Sequence, residues 1–307
     1  MTDVEFCILV EAGALERQAL LLCESIRHFA GAYANARLTA VSPRPARRPG
    51  EDTVRRLREF GANYVPLNLV SPAPEYGPSH KTLALGWCAR QSGPEVLVQI
   101  DSDTVFLDAP SFELNGHAAL GRPVDVKGMC STGPGDRFEP LWQRMGKICG
   151  VDVDGLGYVN STVDKQAVRA SFNGGLIPAR RHVFEMSERC FLDIVADGIQ
   201  SYSDANLEIE AGSGLVSPTG WKLWGLTQAA LSLAVAKLGG TIGLLDDGSN
   251  VPLHMVEQLD PPPSRFLHVH YHSMFAGDDR IGPALERLAL PLEQDAWLRR
   301  RLPLASR

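Results

Sequence analysis

Apolar residues in the first hundred positions follow two alternating patterns. Residues 5–10 (Glu-Phe-Cys-Ile-Leu-Val) form a short continuous run that ends at Glu11-Ala12-Gly13, as a buried strand does on entering a turn. Residues 15–29 then place Leu15, Ala19, Leu22, Ile26 and Phe29 on one helical face. The alternation repeats with a strand at 38–41 closed by Ser42-Pro43, a helix at 53–60 stopped by Gly61, and a strand at 63–69. Strand-helix alternation predicts a parallel sheet with right-handed crossovers. A stiff loop at 71–78 leads to a helix over about 79–90, with Ser79 as its cap. The next run, 96–100, is apolar on both faces of an extended chain, which predicts a central strand covered on both sides.

Beyond it the pattern weakens. Residues 111–171 are glycine-rich with few periodic runs, and read as a loop-rich insertion where substrate-selecting loops are expected. Periodicity returns with a strand at 171–178, helices at 182–198 and 221–238, a strand at 241–245 and a turn-rich stretch at 250–254. Residues 265–273 alternate, so that His268, His270 and His272 fall on one face of a strand. After Pro283 the chain ends in a basic, helix-like tail whose Arg299, Arg300 and Arg301 are expected in solvent.

Composition narrows the class. The 307 residues are 44% hydrophobic and 21% charged, enough for a globular core, and no stretch approaches the length needed to span a bilayer. The net charge of −6 argues against a nucleic-acid binder. Cys7, Cys23, Cys88, Cys130, Cys149 and Cys190 form no C-x-x-C pair, and the first residues carry no export signal, so a reduced, cytoplasmic protein is expected. Arg44, Arg47, Arg48, Arg55, Arg56 and Arg58 make a basic patch. It is read as a solvated face, with contact to an anionic membrane or an acidic acceptor as the alternative.

The chemistry concentrates where the central strand ends. Asp101 and Asp103 follow 96–100 directly, at the carboxyl edge where open α/β sheets bind ligands. Two carboxylates on one side of a strand end disfavour each other's ionisation, a penalty that a divalent cation removes; oxygen ligands of this kind suit magnesium or manganese. A strand-end turn in which the aspartates cap backbone amides is the plainer alternative. Glu11 and Gly13, at the end of the first strand, would face a ligand bound there, with a plain strand-to-helix turn as the alternative. Lys81 lies in a first helical turn, where a cation is disfavoured unless an anion sits opposite. The Gly174-Gly175 pair signals close backbone approach by another group, and Asn173 beside it can bond a hydroxyl-bearing ligand; a β-bulge without a ligand is the alternative. One or two of the three histidines are candidate metal ligands; a three-histidine zinc site would leave the acid pair without a role. Neither G-x-G-x-x-G nor a P-loop signature follows the first strand.

With these landmarks the chain resembles the GT-A-fold glycosyltransferases that use nucleoside-diphosphate sugars, most of all the glycogenin and bacterial galactosyltransferase branch. Lys81, Asp101-Ser102-Asp103, Phe172-Asn173-Gly174-Gly175 and His270-Tyr271-His272 occur in that family's order over residues 4–275. The resemblance implies an α/β fold of GT-A (Rossmann-like) type, a mixed, mainly parallel sheet flanked by helices. It would occupy residues 1–280, with 111–171 as an acceptor-side insertion and 281–307 as a helical tail. It implies Mn2+ or Mg2+ on Asp101, Asp103 and His270, with His272 as the alternate ligand. Donor contacts are implied from Glu11, Gly13, Lys81, Ser102, Asn173, Gly174 and Gly175. Lys81, Asn173 and Gln228 are the candidate catalytic groups, and no base is assigned. The donor would be a nucleoside-diphosphate sugar, UDP-sugars first, and the acceptor a glycan, lipid or small molecule. The location would be cytoplasmic, or peripheral at the inner membrane face. Two departures stand out. Ser273-Met274-Phe275 replaces the family's Gly and frequent Lys-Pro-Trp, whose lysine touches the diphosphate, and Thr227 replaces the acid that commonly precedes the helical Gln. A non-catalytic sugar-nucleotide- or glycan-binding relative and a nucleotidyltransferase remain alternatives. For the latter, residues 11–16 lack the usual Gly- and Arg-rich signature.

Overall fold

In the computed structural model, residues 3–202, 210–211, 214–215 and 217–303 are described. The first half reads β1 (Val4–Leu9), α1 (Ala14–Phe29), β2 (Arg37–Ser42), α2 (Glu51–Glu59), β3 (Ala62–Pro66), α3 (Gly77–Ala89), β4 (Val96–Ile100), β5 (Thr104–Phe106), β6 (Ala119–Gly121) and α4 (Glu139–Cys149). The second half reads β7 (Tyr158–Asn160), β8 (Ala167–Arg169), β9 (Leu176–Arg180), α5 (Arg181–Ala196), β10 (Glu210–Ala211), β11 (Gly214–Leu215), α6 (Pro218–Trp221) and α7 (Leu226–Lys237). It closes with β12 (Ile242–Leu244), β13 (Val251–Pro252), β14 (His268–His270), α8 (Ile281–Leu288) and α9 (Leu292–Arg299).

The strand-helix alternation of the first hundred residues gives the expected parallel core. A seven-stranded sheet runs β12-β6-β9-β4-β1-β2-β3. β3, β2, β1 and β4 are mutually parallel, and β9 is inserted antiparallel between β4 and β6. Both faces are covered, as the continuous apolar run of β4 requires. Phe6, Ile8, Val98 and Ile100 pack against Leu22 and Ile26 of α1. Cys7, Leu97 and Ile177 face the other way, toward Cys88, Phe184 and Leu231 of α3, α5 and α7. This alternation within single strands is the period of two at work.

A second, three-stranded sheet, β13-β14-β5, positions the site. The chain leaves β4, makes a turn at Asp101-Ser102-Asp103 and re-enters extended structure as β5. β14 pairs antiparallel with β5, setting His268 opposite Phe106 and His270 opposite Thr104. Residues far apart in sequence are thereby bound to the strand that follows the acid pair.

Several expectations change. The helix predicted over 221–238 is two helices, broken by Gly225 at φ +85°, where an added Cβ would lie 2.5 Å from Met129 Sδ. The predicted strand 63–69 stops at Pro66, and α3 starts at Gly77 with Pro78 in its first turn. Ser79 does not cap that helix; its hydroxyl donates to the Ala73 carbonyl at 2.9 Å and ties down the preceding loop. Residues 111–171 are more regular than their glycine content suggests. They supply a strand of the main sheet, an eleven-residue helix and the β7–β8 hairpin. The helix went unread because its buried face (Trp142, Met145, Gly146, Cys149) is short and lies between glycine-rich turns. Of 265–273 only His268–His270 is strand, and His272 is left-handed at φ +51°. The basic tail is docked: Trp297 stacks edge-on to Phe29 at 5.1 Å, and Arg301 Nε donates to Glu24 at 2.8 Å. Residues 304–307 of that tail lie outside the described residues. All six cysteines are buried and free, and no described helix is long and apolar enough to cross a membrane.

Candidate active site

One cavity of about 960 Å³ opens at the carboxyl edge of β1 and β4. Its floor is the turn Asp101-Ser102-Asp103. Ser102 lines the cavity and donates its hydroxyl to the Leu9 carbonyl, which ties the turn to β1. The two aspartates then part. Asp101 Oδ1 accepts from Lys81 Nζ at 2.6 Å, and the same ammonium donates to the Gly174 carbonyl at 3.2 Å. With α3 starting at Gly77, Lys81 lies past its first turn, and the anion opposite its ammonium is Asp101.

Asp103 is the deeper acid, 6% exposed. His270 Nε2 lies 3.3 Å from its Oδ1 and His272 Nδ1 lies 3.6 Å from its Oδ2, and the two rings stack at 4.0 Å. Burial alone would raise the Asp103 carboxyl, but the His270 and His272 imidazoles hold it well below the usual carboxylate range. Burial alone would lower His270, but Asp103 and then Asp101 raise it. One ligand atom from each of Asp103, His270 and His272 falls within 4.8 Å of the others, so the three fit a divalent cation. A carboxylate with two imidazoles is a borderline donor set, which favours manganese over magnesium. Asp101 stands further off, at 4.0 Å from His270 Nε2.

His268 does not join this group. Its ring packs on Phe106 at 4.6 Å, fully buried, and burial holds it neutral. Its place is taken by His254, which the sequence did not single out. That ring stands edge-on to His272 at 4.5 Å on the cavity wall, and burial, His272, His270 and Arg280 push its pKa down to about 3.

The glycine pair is a turn leading into β9 rather than a strand, and the group that approaches it is protein. A Cβ on Gly175 would meet Asn250 Oδ1 at 2.4 Å and His270 Nδ1 at 2.6 Å. Asn173 is similarly committed: its Oδ1 accepts from the Gly175 amide at 2.9 Å, and its Nδ2 donates to Asp125 at 2.8 Å. Asp125 is a half-buried acid of the cavity wall that sequence reasoning missed. Burial raises its pKa against the pull of Arg122 and His270. The available signal was a pair of charges, Arg122 and Asp125, set among apolar residues within a stretch read as loop.

Gln228 lies on the cavity wall, in the first turn of α7, and among the described residues its side-chain amide makes no hydrogen bond. Glu11 also lines the cavity, but its carboxylate is taken by Arg44, whose Nε is 2.7 Å away, and approached by Arg47 at 3.8 Å. Those two arginines thus belong to the cavity wall, and Arg48 with the α2 arginines remains a solvated face, Arg55 pairing with Asp52 and Glu59. Gly13 supplies the positive φ (+99°) that opens α1 and does not line the cavity.

A mainly parallel sheet with one reversed strand, and an acid turn at its carboxyl edge facing C-terminal histidines, defines the GT-A class of sugar-transferring enzymes. The crystal structure of an active-site mutant of LgtC matches over 97% of this chain and 96% of its own, with a TM-score of 0.55 and 12% identity, which shows the shared fold. The family model described as the Rhodobacterales glycosyltransferase domain matches residues 6–239, and the chain belongs to that family. It is a GT-A-fold glycosyltransferase. No curated protein matches its sequence significantly.

Proposed function

We propose that the protein moves a sugar from a nucleoside-diphosphate sugar, a UDP-sugar first, to an acceptor hydroxyl, with a manganese or magnesium ion held by Asp103, His270 and His272 and with Asp101 at its margin. The observation that carries this reading is the buried Asp103 carboxylate facing two imidazoles at 3.3 and 3.6 Å on a cavity wall. The imidazoles offset part of the cost of burying that carboxylate, and a dication held by the three residues would offset more of it. When bound, the ion supplies Lewis-acid stabilisation of the charge that builds on the departing diphosphate.

The chain's own groups do the rest. Lys81, held on Asp101 and the Gly174 carbonyl, adds a fixed positive charge near the leaving group. Asn173, with both ends of its amide committed, keeps Gly174 on the sugar side of the cavity and orients Asp125. Asp125 is the acceptor for sugar hydroxyls, and Gln228 is the uncommitted polar group facing the reacting carbon, a positioning contribution. Glu11 orients Arg44 and Arg47 at the nucleoside end.

The test uses purified protein, manganese and a panel of sugar nucleotides, followed by nucleoside-diphosphate release and by thermal shift. The parent is expected to be stabilised by at least one donor only with the metal present, and Asp103→Ala to lose that stabilisation. Donor binding by Asp103→Ala that equals the parent's would sink the proposal.

A further inference from the structure

The cavity does not end at Lys81 and Gln228. Those two side chains converge on the glycine turn, where a Cβ on Gly174 would lie 3.5 Å from Lys81 Nζ and 3.9 Å from Gln228 Cγ. Each has a second lining residue about one turn further along its own helix: Leu85 after Lys81 on α3, and Leu231 after Gln228 on α7. Helix α5 closes the space between them with Phe184 and Ser187, again one turn apart and both lining the cavity. Leu85, Phe184 and Leu231 are buried in the same hydrophobic cluster as Leu97 of β4 and Ile177 of β9. The cavity therefore continues behind Lys81 and Gln228 as an apolar arm between three helices, about 5 Å deep, the rise of one helical turn.

Ser187 gives this arm a polar contact. It is 5% exposed, and among the described residues its hydroxyl makes no hydrogen bond. A helical serine commonly returns its hydroxyl to a carbonyl of the preceding turn, as Ser232 does to Gln228 at 3.4 Å. Thr82, which also lines the cavity, donates to the Pro78 carbonyl at 3.3 Å. A buried hydroxyl left without a partner is costly, and a ligand that supplies one removes the cost. Apolar walls around a free hydroxyl match a short acyl amide: its methyl takes the apolar contacts and its carbonyl accepts from the serine.

We infer that the arm receives the acetamido group of the transferred sugar, so that the donor is a nucleoside-diphosphate 2-acetamido sugar. This rests on the donor reading proposed above, which sets the reacting carbon beside Gln228. The substituent on the neighbouring ring carbon is the one that enters the arm.

Calorimetric titration of the full chain in manganese tests it, with UDP, UDP-glucose, UDP-galactose, UDP-N-acetylglucosamine and UDP-N-acetylgalactosamine. At least one acetamido donor is expected to bind about tenfold tighter than its parent hexose donor, the size of one buried methyl and one hydrogen bond together. Ser187→Ala should cut that ratio about fivefold through the acetamido donor, with UDP and the hexose donor within about threefold of the parent. Leu231→Phe, which fills the arm, should erase the ratio while UDP binding stays within about threefold. A parent that binds neither acetamido donor more tightly than its hexose, or a Ser187→Ala ratio equal to the parent's, overturns the inference. Failure of the unaltered protein to bind UDP and all four sugar donors overturns the donor reading and, with it, this one.

Discussion

Gly175 leaves no room for a side chain. The Cβ of an alanine would stand 2.6 Å from His270 Nδ1 and 2.4 Å from Asn250 Oδ1, closer than real contacts allow. One of those groups must move, and both are fully or almost fully buried. Asn250 Nδ2 donates to Asn173 Oδ1 at 3.1 Å, and both approached atoms, Asn250 Oδ1 and His270 Nδ1, lack a hydrogen-bond partner, so the clash bears on the imidazole as well as on the amide. Gly175→Ala is therefore expected to cost about 1–3 kcal/mol of stability, the usual size of overpacking. It should also abolish manganese-dependent stabilisation by nucleotides. Thermal melts with and without metal and nucleotide separate the two effects; a variant that is destabilised yet keeps the full metal-dependent shift would show that His270 is not what the glycine protects. The sequence carried half of this. A glycine pair announces close approach, and the histidine pattern announces a site, but nothing local says that the two are the same contact. That contact is made by β14 pairing with β5, a long-range register that no window of the sequence contains.

Elements with strong periodicity were legible, and those stabilised by buried charge were not. The alternation through β4 and the amphipathic α5 were read correctly because apolar burial alone specifies them. Helix α4 and the β7–β8 hairpin are instead joined by Arg169, which is 1% exposed. Its Nη2 donates to Glu139 at 2.6 Å and to Asp154 at 2.7 Å, with a further bond from Nη1 to the Val153 carbonyl. Charged residues in a glycine-rich stretch read as solvated loop, and this network inverts that reading. Its pH signature follows from the carboxyl. Arg169 above all, with Ser131 and Gln143 assisting against burial, holds the Glu139 pKa down to about 2 from an ordinary 4.5. A depressed folded-state pKa means stability that is complete above the unfolded value and lost as pH falls from about 4.5 toward 2. The contribution is about 3 kcal/mol at neutral pH. Denaturation of the parent and of Glu139→Gln should show a gap of that order at pH 7 that narrows as the pH drops from 5 to 3. A gap independent of pH would mean that the carboxylate charge plays no part in holding α4.

Across the whole molecule the last helices bear on the site, although no residue of α9 touches the cavity. Leu285, Leu288, Trp297 and Leu298 share one hydrophobic cluster with Val105 of β5, Val269 of β14 and Tyr271, the residue between the two candidate metal histidines. A boundary at residue 280 divides that cluster, so the tail and the strand pair that delivers His270 to Asp103 are expected to lose order together. Trp297 is the largest side chain the tail contributes, 5% exposed, edge-on to Phe29 of α1 and covered by Arg301 at 4.0 Å. Trp297→Ala should cost about 3 kcal/mol, as large-to-small changes in a core do, and lower the melting temperature by roughly 6 °C for a chain of this size. The sharper expectation concerns coupling. If the cluster holds β14 in register, the variant should also bind manganese and nucleotide less tightly, because part of the binding free energy must then order the strand. Calorimetry at a temperature where parent and variant are both fully folded measures this directly. A lower melting point with unchanged metal-dependent affinity would assign the tail to stability alone. A parallel loss of both would make the C-terminal helices part of the machinery that sets the histidines against the acid turn.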